Sequence, residues 1–114
     1  MESHIKVQKV DGHVTVSVGE RTVAHSSSVR LLLEGNLPPR HYFPRNDVDM
    51  ELLIPSESVT HCPHKGDARY WSIEVDDRHL EDAVWSYETP IESMSAISGL
   101  LCFYDERVQL NIED

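Results

Sequence analysis

Val14, Val16 and Val18 alternate with His13, Thr15 and Ser17, the two-residue period of a strand with one buried face. Gly19-Glu20 follows at once. A glycine first in a two-residue loop suits a type II′ hairpin turn, so Arg21-Thr22-Val23-Ala24 is expected to return beside this strand. Asp11-Gly12 offers a similar signal upstream, which predicts Ile5 to Val10 as a paired edge strand. A chain that opens as a β meander has one-sided strands to cover, and the remaining sequence must supply the cover.

It does so with more strands. Val29 to Leu33 is a short apolar run bounded by Gly35-Asn36 and Pro38-Pro39, and predicts a strand ending at Glu34. His41-Tyr42-Phe43 is an extended piece stopped by Pro44. Pro44-Arg45-Asn46-Asp47 is turn chemistry, and Met50 to Ile54 forms an apolar segment closed by Pro55-Ser56. Arg69, Trp71, Ile73 and Val75 share one strand face while Tyr70, Ser72 and Glu74 share the other, which puts Trp71 toward the core. Asp76-Asp77-Arg78 turns the chain. Ala83, Trp85 and Tyr87 alternate along the next strand, and the two tryptophans are expected to form one wall.

The clearest helix signal is Thr89-Pro90-Ile91-Glu92, with a threonine N-cap, proline at the first helical position and glutamate three residues after the cap. Ile91, Met94 and Ile97 give it a stripe to bury, and Gly99 can end it, so a short α-helix is expected over about residues 90–98. Leu100 to Tyr104 then predicts a buried strand, and Arg107 to Leu110 a last short one. The fold class is mainly β, antiparallel sheets in a sandwich-like arrangement with one short α-helix. At 114 residues, a single domain spanning 1–114 is expected.

Charge excludes one large class of partner. Ten lysines and arginines stand against 20 acidic residues, for a formal charge of −10, so the surface on average repels nucleic acid. No apolar run approaches the roughly 20 residues needed to span a bilayer, and Met1-Glu2-Ser3-His4 lacks a leader pattern. A cytoplasmic protein without membrane contact is expected. Cys62 and Cys102 can pair only if the fold brings their Cα atoms within about 7 Å. In a reducing compartment both are expected as free thiols.

Reactive residue types crowd into one turn, Thr60-His61-Cys62-Pro63-His64-Lys65-Gly66. A thiolate is the reactive form of cysteine, and a nearby lysine or protonated histidine stabilises it. Lys65 can instead grip a phosphate or carboxylate, with Gly66 letting backbone amides approach the anion. The plain alternative is a turn in which Cys62 is packed and Lys65 solvated. Glu34 and Asp47 are candidates for acid, base or magnesium ligand if they face a cleft, with solvated carboxylates as the plain alternative. Tyr42, Trp71, Trp85 and Tyr87 are candidates to stack on a planar ligand, with core packing as the alternative. His61, Cys62 and His64 lack the second ligand pair of a structural zinc site, so no metal and no cofactor is expected. Nucleophile-elbow, phosphate-loop and dinucleotide glycine patterns are absent from the sequence.

Several segments then occur in a characteristic order: Leu31-Leu32-Leu33-Glu34, Tyr42-Phe43-Pro44-Arg45-Asn46-Asp47-Val48, the Thr60–Gly66 turn, Tyr70-Trp71-Ser72, Ala83-Val84-Trp85-Ser86-Tyr87 and Leu101-Cys102-Phe103-Tyr104. Together they closely resemble the domain of unknown function 427 family, which also carries a nucleotidyltransferase-like label. The resemblance runs roughly from Val14 to Val108. It implies a mainly β domain of the β-tent type, a group that includes methionine sulfoxide reductase B and the glutathione-dependent formaldehyde-activating proteins. Those relatives often hold zinc through paired Cys-x-x-C motifs, which this sequence lacks, so the resemblance implies a tent without its metal. The family usually has an aromatic residue where His64 stands, which leaves His64 outside the expected site.

Glu34, Tyr42, Asp47, Thr60, Cys62, Lys65, Gly66, Trp71, Trp85 and Tyr87 fall on the family's motif positions, and several of them are expected to line one pocket. Three functions compete. The first is a pocket for a small anionic or nucleotide-like molecule around the turn, with His61 beside it. There Cys62, Lys65 and Glu34 are the candidate catalytic groups, and turnover itself stays open. The second is a non-catalytic protein-interaction module or a homo-oligomerising domain. The third is a redox protein using Cys62 and Cys102.

Overall fold

The computed structural model describes residues 5–113. Met1–His4, on which the leader expectation rests, lie outside them. The strands are β1 (Ile5–Lys9), β2 (His13–Val18), β3 (Arg21–Ser26), β4 (Arg30–Glu34), β5 (Arg40–Phe43), β6 (Leu53–Cys62), β7 (Gly66–Val75), β8 (Arg78–Ser86), β9 (Leu101–Phe103) and β10 (Gln109–Glu113). They form a seven-stranded sheet in the order β1-β4-β5-β9-β8-β7-β6 and a three-stranded sheet in the order β10-β2-β3. All the pairings within these sheets are antiparallel, as expected from the sequence.

The valines of β2 explain the sandwich. Val14, Val16 and Val18 are buried with Val23 against Phe43, Trp71, Ile73, Val84, Leu101 and Phe103 of the large sheet. Phe43 and Phe103 meet edge to face at 5.6 Å. The large sheet also has a second apolar face, where Leu32, Tyr42, Ala68, Trp85, Tyr87 and Cys102 gather with Met94 and Ile97. Two buried faces make a strand apolar along its whole length, and Leu101-Cys102-Phe103 is such a run.

Four local expectations are corrected. The Asp11-Gly12 turn does not fold β1 back onto β2. Instead β1 pairs with β4, from Ile5 opposite Glu34 to Lys9 opposite Arg30. A tight hairpin would leave both strands in one sheet, whereas Ile5 and Val7 pack on the second apolar face and Val14 and Val16 between the sheets. Pro55 does not close its segment either. It lies inside the ten-residue strand β6, at the sheet edge beside an irregularity between Pro55 and Val59, where a missing N–H costs no ladder bond.

The Trp71 and Trp85 side chains do not form one wall. Tyr70, not Trp71, is the register partner of Trp85, so the two indoles lie on opposite faces of the large sheet. Finally, the helix signal yields a short 3-10 segment, Glu92–Ile97, rather than an α-helix. Ile91 is extended and its N–H bonds the Lys65 carbonyl at 2.9 Å, which ties the intended first turn to a neighbouring hairpin. Met94 then departs from helical geometry, with φ −109° and ψ 19°. Met94 and Ile97 are buried as the stripe requires, while Ile91 stays exposed.

Candidate functional site

The second face of the large sheet carries the candidate site. Register alone sets its floor: Tyr42 on β5 faces Cys102 on β9, Cys102 faces Trp85 on β8, and Trp85 faces Tyr70 on β7. Four side chains thus stand in one row across four strands. The small Cys102 leaves room above it, and the Trp85 indole N–H donates across that gap to the Tyr42 phenol oxygen at 3.1 Å. Two positions before Tyr42, Arg40 points to the same face. Its guanidinium lies 5.3 Å from the Trp85 ring centre and 5.5 Å from that of Tyr104. Trp85 and Tyr104 themselves pack at 4.6 Å, tilted by 59°.

The hairpin between β6 and β7 delivers Lys65. Cys62 pairs with Gly66, and the Lys65 N–H bonds the Cys62 carbonyl at 3.1 Å, so Pro63, His64 and Lys65 make the loop. Gly66 adopts φ 121°, and a Cβ on it would stand 3.1 Å from the Pro90 Cα. Glycine is therefore required there by conformation and by space. The loop so anchored sends Lys65 Nζ to Glu34 Oε1, at the end of β4, at 2.5 Å. Both side chains are largely buried, 12% and 19% exposed, and Nζ lies 6.0 Å from the Tyr87 ring.

These groups surround a cleft of about 220 Å³, walled further by Leu32, Leu37, Pro38, Tyr70 and Tyr104. Burial pushes the Tyr42 and Tyr87 phenols well above the ordinary tyrosine range, which keeps both as neutral hydrogen-bonding groups. The Cys102 thiol is also pushed far up by complete burial, so it is a packed wall and not a nucleophile. Cys62 is half-buried at the edge of the same cluster, and both cysteines are free.

Of the residues singled out from sequence, Glu34, Tyr42, Lys65, Trp85 and Tyr87 thus meet at one cleft. The others are placed elsewhere. Thr60 reaches only its rim, sharing a 2.9 Å hydrogen bond with the Tyr70 hydroxyl. His61 pairs with Asp67 at 2.7 Å on the exposed outer hairpin, and His64 is exposed. Asp47 accepts a 2.6 Å bond from the buried Ser26 hydroxyl near the small sheet. Trp71, on the opposite face, carries Arg45 over its ring at 5.3 Å. Among the described residues no group of three or more His, Cys, Asp and Glu side chains is placed to hold a metal ion.

Sequence reasoning missed Arg40, Tyr70 and Tyr104. A signal existed for each: Arg40 shares strand parity with Tyr42, Tyr104 shares it with Cys102, and Tyr70 falls on the face opposite Trp71. Joining the three required the pairing register.

The fold and cleft define a small, mainly β protein of two antiparallel sheets with an aromatic, cation-bearing concavity on the outer face of the larger one. The chain belongs to the family described as domain of unknown function (DUF427), whose model matches residues 6–114. That match covers essentially the whole chain and confirms the resemblance found in its motifs. No curated protein matches the sequence. Among the described residues no helix is long and apolar enough to cross a membrane.

Proposed function

We propose that the concave face beside the Thr60–Gly66 turn binds a small anionic or nucleotide-like molecule. One observation carries this reading. Two cations, Lys65 and Arg40, lie with Tyr42, Trp85 and Tyr87 in one cleft of a chain whose overall charge is −10. Each cation already holds a carboxylate of the chain, Glu34 on Lys65 and Glu106 on Arg40, so the groups here suit an anion that takes a carboxylate's place, and aromatic walls supply apolar contact for the rest of a ligand. Glu34 and Lys65 line this cleft as its candidate proton-exchanging groups, and Cys62, packed at the edge of the same apolar cluster but outside the cleft's lining, is the candidate wall or nucleophile. We place the protein as a single domain in the cytoplasm, where reducing conditions suit two unpaired cysteines.

The test is retention of small molecules from a cell extract, read by mass spectrometry on the native protein, Arg40→Gln, Lys65→Ala and Cys62→Ser. A compound held by the native chain and lost with Arg40→Gln or Lys65→Ala is the expected result. Equal retention by all four proteins, or none by the native chain, overturns the reading.

A second reading is supported by the outer strand β6, whose Ile54 and Val59 are 41% and 61% exposed at a free sheet edge. On this reading the domain is a non-catalytic interaction module or self-associates through that edge. A concentration-independent monomer by light scattering, with no protein partner recovered on the native chain, removes it.

A further inference from the structure

We propose that the cleft takes a one-ring aromatic or heteroaromatic acid, with its carboxylate gripped by Arg40. This rests on the binding reading above and narrows it to a ligand class. The two cations differ in what holds them. Lys65 is committed to Glu34 at 2.5 Å with both side chains mostly buried, so a ligand would have to break a pair that water replaces poorly. Arg40, 19% exposed, is paired at 3.1 Å with Glu106, whose side chain is 57% exposed, so the carboxylate of this pair, unlike Glu34, is in contact with water and is the easier one to replace.

The rings of Trp85 and Tyr104 hold the guanidinium in addition to Glu106. The guanidinium carbon lies 5.3 Å and 5.5 Å from the Trp85 and Tyr104 ring centres, which are themselves 4.6 Å apart, so it caps this aromatic pair, and a guanidinium's planar fork of N–H donors matches two carboxylate oxygens. An incoming carboxylate can therefore displace Glu106 without new ordering of the arginine, whose freedom was already lost on folding.

The remaining walls select the rest of the ligand. A volume of about 220 Å³ falls below the roughly 300–1,000 Å³ of pockets that enclose drug-sized molecules, which favours one ring over a base, sugar and phosphate together. Leu37, Pro38, Tyr70 and Tyr104 offer apolar surface to such a ring. The Trp85 N–H is engaged by the Tyr42 oxygen, which leaves the Tyr42 O–H as the donor of this pair that a ligand can use.

The experiment titrates the full chain with benzoate, with nicotinate and with adenosine monophosphate, following the Arg40 Nε–H and Trp85 indole resonances by NMR. Saturable shifts with the two one-ring acids are expected, with at least tenfold weaker binding in Arg40→Gln. Glu106→Gln, which frees the guanidinium, should tighten binding about threefold, whereas Glu57→Gln makes the same change in net charge and should not. Tighter binding of the nucleotide overturns the size argument and leaves the binding reading standing. Acid binding that ignores both Arg40→Gln and Glu106→Gln overturns the role of Arg40. No shift with any probe overturns the ligand class, and the extract experiment then decides the broader reading separately.

Discussion

The Trp85 indole donates its N–H to the Tyr42 phenol oxygen across an intervening strand, directly over Cys102. Tyr42 is only 1% exposed, so the bond is made where no water can replace it. It joins β5 to β8 and sets the floor of the cleft.

Trp85→Phe removes that donor and strands the Tyr42 oxygen, at an expected cost of about 1–3 kcal/mol beyond lost ring contact. Tyr42→Phe strands the indole N–H at a similar cost. The double variant should lose less than the two single losses combined, as measured by urea unfolding. Strict additivity would show that the two groups are not coupled.

Gly66→Ala should destabilise the chain by roughly 1–3 kcal/mol, because alanine is strained at φ 121° and its methyl meets Pro90. Gly35→Ala is the control, since φ is 51° there and nothing lies within 4 Å of the new carbon. Thermal unfolding should rank Gly66→Ala clearly below Gly35→Ala. The reverse order would mean that the Pro90 contact yields freely.

Complete burial with a raised thiol pKa makes Cys102 unreactive while the protein is folded. A thiol reagent at pH 8 should therefore label one cysteine, Cys62, under native conditions and two in denaturant. Native labelling of Cys102, identified by peptide mapping, would contradict its placement beneath Trp85 and Tyr42.

His41 gives the fold a pH dependence. Burial holds its imidazole below the ordinary value of 6.5, so the unfolded chain takes up a proton more readily than the folded one. Stability should accordingly fall as pH drops below about 6.5 toward the folded-state pKa. Urea midpoints at pH 7 and pH 5 measure this, and His41→Gln should flatten the difference. An unchanged slope in the variant would assign the effect to other groups.

The strands themselves were legible because a two-residue period and glycine turns are local properties. Val14 to Val18, the Gly19-Glu20 turn and the wholly buried Leu101-Cys102-Phe103 run needed no tertiary knowledge. The Thr89-Pro90 signal was also local, yet the chain uses that stretch to brace a hairpin through the Ile91 to Lys65 bond, and a helix lost to a tertiary contact.

By itself, the sequence determined a mainly β chain of antiparallel strands, its family and the turn that carries Lys65. Tertiary structure alone decided which of the marked residues meet. Alternation states which side chains share a face within one strand, but a one-residue change of register between strands exchanges every face. Pairing therefore put Trp85 with Tyr42 and Tyr70 while sending Trp71 to the other side. It also brought Lys65 to Glu34 across 31 residues of sequence, and set Arg40 against two rings that no local pattern connects to it.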